Sequence, residues 1–86
     1  MEILGTHFKD SEIVGIGPLL TQTIDEFYGR HYVYFDLHLQ HRSHTIKSGI
    51  FIELDNSPMD EDQRQAKIAF MAVYEMTKQE VIQLIS

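Results

Sequence analysis

An α+β domain, built as an antiparallel β-meander of four to five strands with one long C-terminal helix packed on one face, is the fold this sequence predicts. Three observations predict it. Apolar residues alternate strictly from His31 to Gln40, the mark of a half-buried strand. The same period recurs from Thr45 to Leu54, so a turn between the two segments makes a hairpin. Beyond Pro58 neither Gly nor Pro occurs and the apolar spacing becomes helical, which predicts one uninterrupted helix. A chain of 86 residues supports one domain. It is read as a single unit over 1–86, with the meander in 1–54 and the helix in 58–85.

Taken in order, Glu2 to Phe8 and Glu12 to Ile16 read as short strands around a Lys9-Asp10-Ser11 turn. Gly15, Gly17 and Pro18 then mark a bulge or bend, because Pro cannot donate to a ladder and Gly weakens one. Leu19 to Phe27 forms the next strand and turns back through Gly29, placed at the first central position of a type II′ turn. Pairing Tyr28 with His31 sets Ile24 opposite Phe35 and Leu20 opposite Leu39 on the core face.

Along the following strand Val33, Phe35, Leu37 and Leu39 point inward, while Tyr32, Tyr34, Asp36 and His38 point outward. A four-residue loop around His41 and Arg42 closes the second hairpin. In the expected register Leu37 meets Ile46, Val33 meets Ile50 and Asp36 meets Lys47. Ile52 and Leu54 continue the inward set and Phe51 the outward one. A slip of one residue would exchange the two faces of a strand.

The helix start is marked by Ser57 as N-cap, Pro58 at the first helical position, and Asp60, Glu61 and Asp62 in the first turn, where the helix dipole favours acids. At 100° per residue Ala66, Ala69, Phe70, Val73, Met76, Val81 and Leu84 share the face that covers the sheet. A second apolar set, Ile68, Met71 and Ile82, points away from it beside Arg64, Glu75 and Lys78. Scattered exposed apolar residues are ordinary, but three at helical spacing form a contiguous patch suited to a helix-mediated dimer.

Composition removes several function classes. With no Cys there is no disulfide, thiolate metal site or Cys nucleophile. A net charge of −6, from 7 Lys+Arg against 13 Asp+Glu, argues against nucleic acid and anionic membranes as partners, since Lys and Arg drive both. The charge is uneven. Residues 1–29 carry one Lys against five acids, 30–52 three basic residues against one Asp, and 53–86 three against seven. No basic leader followed by an apolar core is present, and no run of ~18 apolar residues that could span a bilayer. A soluble, cytoplasmic protein is expected.

Catalytic signatures are sparse. Gly15-x-Gly17 runs into Pro18 and lacks the third glycine of a dinucleotide loop, so it cannot open a helix on a phosphate. Asp36 and His38 share the outward face and could act as an acid/base pair, but a general base also needs a pocket. A non-enzymatic role with no cofactor is expected. His38, His41 and His44 bracket the turn at regular spacing and are the metal candidates, imidazole being a ligand for zinc, copper and nickel. In the expected register the three rings diverge.

The remaining chemistry is that of interaction. Phe27, Tyr32, Tyr34 and Phe51 are expected together on the uncovered sheet face, and large amphipathic aromatics anchor interfaces. With Ile68, Met71 and Ile82 on the helix, they point to an interaction or regulatory domain, homodimeric or bound to a protein partner. The alternative is an acidic inhibitor or immunity-type protein neutralising a basic partner by charge steering. Metal binding at the histidine cluster is the second alternative.

Overall fold

The central strand dictates the architecture. The computed structural model describes residues 1–86, and β5 (Arg30–Leu39) runs through the middle of a five-stranded antiparallel sheet. Its neighbours are β3 (Ile13–Ile16), β4 (Leu20–Asp25), β6 (Ser43–Lys47) and β7 (Phe51–Ile52). Tyr34 pairs with both Leu20 and Lys47, and Leu37 with both Ile16 and His44. Hence β3 and β4 lie end to end along one edge of β5, and β6 and β7 along the other. A separate hairpin joins β1 (Glu2–Ile3) to β2 (Thr6–His7), and α1 (Glu61–Ile85) packs on the sheet. The fold is α+β, as expected.

Alternation on β5 is obeyed: Val33, Phe35, Leu37 and Leu39 are all buried. The registers beside it differ from expectation. In the second hairpin Phe35 faces Ile46 and Asp36 faces Thr45, two residues from the expected pairing. Leu39 N–H donates to the Arg42 carbonyl (2.8 Å), so the chain reverses over Gln40 and His41 rather than in a four-residue loop. Gln40 fixes that reversal, donating its backbone N–H to the Glu12 carbonyl and its side-chain amide to the Ser11 carbonyl (both 3.0 Å). A two-residue shift keeps every side chain on its face, so Ile46 remains inward and Lys47 outward.

Past Lys47 the faces do exchange. Ser48 Oγ accepts from Val33 N–H (3.0 Å) and donates to the Gly49 carbonyl (2.8 Å), and the ladder resumes with His31 opposite Phe51. One extra residue has entered this strand, as at a bulge. Phe51, expected outward, is therefore core at 4% exposure, and Ile50 and Ile52, expected inward, are exposed.

The first hairpin is corrected more strongly. Thr21 pairs with Val33 and Thr23 with His31, which turns Leu20 and Ile24 away from the core. The cause is the turn: Asp25 Oδ1 accepts from Phe27 N–H (2.9 Å) and Tyr28 N–H (3.3 Å), an Asx-type closure. It spreads the reversal over four residues, ending at Gly29 with φ +68°. Gly29 needs its left-handed backbone, as expected, but not in a two-residue type II′ turn. A break between β3 and β4 falls at Gly17-Pro18, and the β3 bulge at Val14, both in the region marked by Gly15, Gly17 and Pro18.

Helix α1 starts three residues later than expected. Asp60, not Ser57, is the N-cap, accepting from Gln63 N–H (2.9 Å). Ser57 instead makes a backbone bridge with Leu54. Gln63 Oε1 accepts from Ile52 N–H (2.8 Å), tying the first turn to β7.

The buried stripe is also rotated, running through Phe70, Tyr74, Thr77 and Val81. Tyr74 explains it. Its ring lies edge-on to Phe35 (5.0 Å) while its hydroxyl donates to the Gly17 carbonyl (3.0 Å), so an amphipathic aromatic fills a core position with its polar tip satisfied. Ala66, Ala69 and Met76, expected against the sheet, are exposed beside that stripe, as is Leu84.

Candidate interaction surface

Two things cover the inner face of the sheet: α1, and the β1–β2 hairpin lying beside its C-terminal half. Ile3 and Phe8 of the hairpin region join the core, Phe8 edge-on to His44 at 5.1 Å. Neither covers the N-terminal half of α1 on the β6–β7 side. A groove of about 610 Å³ is left there, lined on the helix by Ala66, Ala69, Phe70 and Val73, on the sheet edge by Ile50 and Phe51, and at its end by Leu4. Its floor is apolar because Phe51 and Phe70 are core residues. Its rim carries only Lys47 and Asp62 as charged groups.

Leu4 makes this groove unusual. The two-residue turn Leu4-Gly5 has φ of +48° and +84°, the both-positive pattern of a type I′ turn, where Asn-Gly or Asp-Gly is favoured. A left-handed Leu costs about 1–2 kcal/mol, and here its side chain is 59% exposed. Strain and exposed apolar area coincide at one lip of the groove. Such local violations collect where a segment serves binding.

The open face of the sheet carries the second surface. Tyr32 and Tyr34 lie side by side with ring centroids 5.8 Å apart, and Lys47 Nζ sits 5.5 Å above Tyr32. Asp36 accepts from the Thr45 hydroxyl, and His38 Nδ1 is 3.0 Å from Ser43 Oγ. The polar groups of this face are thus paired among themselves, and none of the larger cavities opens on Asp36 or His38. Of the other aromatics expected there, Phe51 is in the core. Phe27 projects from the first turn, edge-on to Tyr28 at 4.9 Å.

The remaining expected sites are dispersed or separate. Ile68, Met71 and Ile82 are all exposed on one side of α1, away from the groove. His38 lies on the open face, His44 on the inner face against Phe8, and His41 in the reversal between β5 and β6. The three rings do not converge, and no group of three His, Asp or Glu residues is placed to hold a metal ion.

A polar cleft of about 510 Å³ between the first turn and α1 is the feature that sequence spacing did not reveal. His31 and Lys67 meet there, with Lys67 Nζ 3.2 Å from His31 Nε2 and His31 Nδ1 3.3 Å from the Gly29 carbonyl. Thr21, Thr23, Arg30, Glu26, Glu53 and Asp55 complete it. Beside it Arg30 donates to Asp25 Oδ2 (3.1 Å). That bond first, and the Tyr28 and Phe27 N–H groups with it, hold the Asp25 carboxyl below its ordinary value of 3.8. Glu61 is likewise lowered from 4.5, by the side chains of Arg64 and then Gln65.

No helix is long and apolar enough to cross a membrane. Comparison with protein-family models, with curated proteins and with solved structures finds no match to this chain.

Proposed function

We propose that this chain is a small non-enzymatic interaction domain that works as a homodimer, docking through apolar surface that its own second layer leaves uncovered. The groove beside α1 carries the reading. An 86-residue chain has little core to spare, yet this one leaves an apolar floor, the exposed side chains of Ile50 and Met76, and a strained Leu4 facing solvent. Covering them would add burial that one chain cannot make alone. The helix provides the better docking surface of the two. Tyr32 and Tyr34 are half-buried on the sheet's open face and packed against each other, with Lys47 already over the Tyr32 ring. A cytoplasmic site of action belongs to the same proposal.

Sedimentation equilibrium tests it. The expected mass at ~100 μM is twice the chain mass of 10.0 kDa, since an interface weaker than that contributes less than ~5.5 kcal/mol. A monomer at that concentration contradicts the proposal.

A further inference from the structure

We infer that the outer edge of β4 takes up an extended basic segment of a partner protein as an added antiparallel strand, whose alternate side chains reach the polar cleft beside α1. This edge lies across the sheet from the apolar groove, so the contact is independent of self-association there.

β4 pairs with β5 alone, and Leu20 to Ile24 are all exposed. Backbone polar groups alternate sides along a strand. Those of Val33 face β6 and β7, since Val33 N–H donates to Ser48 Oγ (3.0 Å) and the Val33 carbonyl accepts from Ser48 N–H (2.9 Å). Tyr32 and Tyr34 therefore face β4, where they exchange hydrogen bonds with Gln22 and Leu20, the residues opposite them. Thr21 and Thr23 are left with their N–H and C=O groups directed outward. At the Thr23 carbonyl the side-chain amide of Gln22, from the same strand, takes the place of a neighbouring strand (3.2 Å).

Nothing blunts this edge. From Leu20 to Ile24 there is neither a charge nor a proline, the usual devices against pairing, and the bulge of the strand comes only at Ile24. The opposite edge is interrupted at Ser48, where the ladder breaks between β6 and β7. A second backbone can lie along β4 for roughly 17 Å, at ~3.4 Å per residue.

The faces of β4 set the side chains of that backbone. A residue opposite Thr21 or Thr23 shares their inner face, and these two threonines line the polar cleft. There Arg30 is taken up by Asp25 (3.1 Å), and Lys67 turns its ammonium to His31 Nε2 (3.2 Å). Glu26, Glu53 and Asp55 complete the charged lining, and none of the three is in an ion pair. The cleft is thus acidic, on a chain of net charge −6, and selects Lys or Arg at these two positions by charge complementarity. Starting one strand spacing away, about 4.8 Å, a long basic side chain reaches over the threonines into it. Residues opposite Leu20 and Ile24 fall on the open face beside two exposed apolar side chains, and are apolar. Main-chain bonds then give affinity and the alternating side chains specificity. A second copy of β4 fits less well, because it presents only threonines to the inner face and brings its own three carboxylates with it.

The probe is the peptide acetyl-Val-Lys-Val-Lys-Val-amide, followed on the full chain by nuclear magnetic resonance and amide hydrogen exchange. In the free chain the Leu20 and Gln22 amides should exchange slowly and those of Thr21 and Thr23 fast. Peptide at about ten times its Kd should slow Thr21 and Thr23 about tenfold. N-methylation of both lysines, whose N–H groups meet the threonine carbonyls, should abolish binding, whereas N-methylation of the central valine, whose N–H points away, should leave it. Replacing both lysines of the peptide by Glu should weaken binding by about tenfold or more, and Glu53→Gln with Asp55→Asn in the chain should shrink that preference. Unaltered exchange at Thr21 and Thr23, tolerance of the methylated lysines, or equal binding of the Glu peptide overturns the assignment. So does protection of Thr21 and Thr23 in the free chain that rises with protein concentration, which would give the edge to a second copy.

Discussion

Gly29→Ala should be among the most damaging single-methyl additions to this fold. A Cβ at Gly29 would lie 2.7 Å from the Glu53 carbonyl carbon and 2.9 Å from Leu54 Cδ2, closest of all to the Glu53 oxygen. Two costs combine. The φ of +68° costs an alanine about 1–2 kcal/mol. The obstruction is mostly backbone, so the β7 end must move and the Glu53 N–H bond to the Gly29 carbonyl (3.0 Å) is lost, a further ~1 kcal/mol. A loss of about 3 kcal/mol is expected, from a total that at typical per-residue stabilities is about 4–13 kcal/mol. Urea unfolding reads it directly, and the thermal midpoint should fall by at least ~12 °C. Gly29→Asn separates the two costs, since Asn tolerates the left-handed region but carries the same Cβ. It should recover only part of the loss. Full recovery by Asn would refute the close approach of β7, and a loss under ~1 kcal/mol for Ala would refute both costs.

The remaining predictions concern other joints of the fold. Ser48→Ala should cost about 1–2 kcal/mol in urea unfolding, because Val33 N–H on the central strand loses its Oγ acceptor. Asp60→Ala should cost about 1 kcal/mol and Ser57→Ala almost nothing, since only Asp60 caps α1; the opposite order would restore Ser57 as the cap. The Asp25 and Glu61 carboxyls are held below their ordinary values, so their contributions are complete above those values and fade as pH falls through the lowered ones. Stability measured between pH 5 and about pH 2 should therefore drop less steeply in the Asp25→Asn, Glu61→Gln double variant than in the parent. An unchanged slope would contradict the two pairings.

The sequence made the fold class legible because β5 is buried on one face only and obeys strict alternation, while the last third contains no breaker. Registers were less legible, because each is set by one side chain acting on backbone. Asp25 widens the first turn, Gln40 fastens the second to Ser11 and Glu12 just before β3, and Ser48 adds a residue that turns Phe51 inward. Helical phase was misjudged for a similar reason. Hydrophobicity ranks Met76 and Ala69 above Tyr74 and Thr77, but Tyr74 can reach the Gly17 carbonyl from within the core. The same error hid the groove: of the residues assigned to the sheet, Phe70 and Val81 are buried there, while Ala66, Ala69, Met76 and Leu84 are left exposed. Ala66 and Ala69 side by side were the available signal, since two small residues fill a core poorly but let another helix approach closely. Leu4 and the His31–Lys67 cleft depend on contacts between segments far apart in the chain, which no local pattern reports.

The claim that the uncovered groove is a self-association surface is tested most directly by the mass in solution of the parent chain and of Ala69→Glu, compared at ~100 μM by sedimentation equilibrium. Ala69 is exposed and inside the helix, where Glu has nearly the propensity of Ala, so the variant should fold. The parent should sediment as a dimer, and the variant as a 10.0 kDa monomer with the helical circular dichroism of the parent. A parent that is already monomeric, or a variant that remains dimeric, would contradict the account.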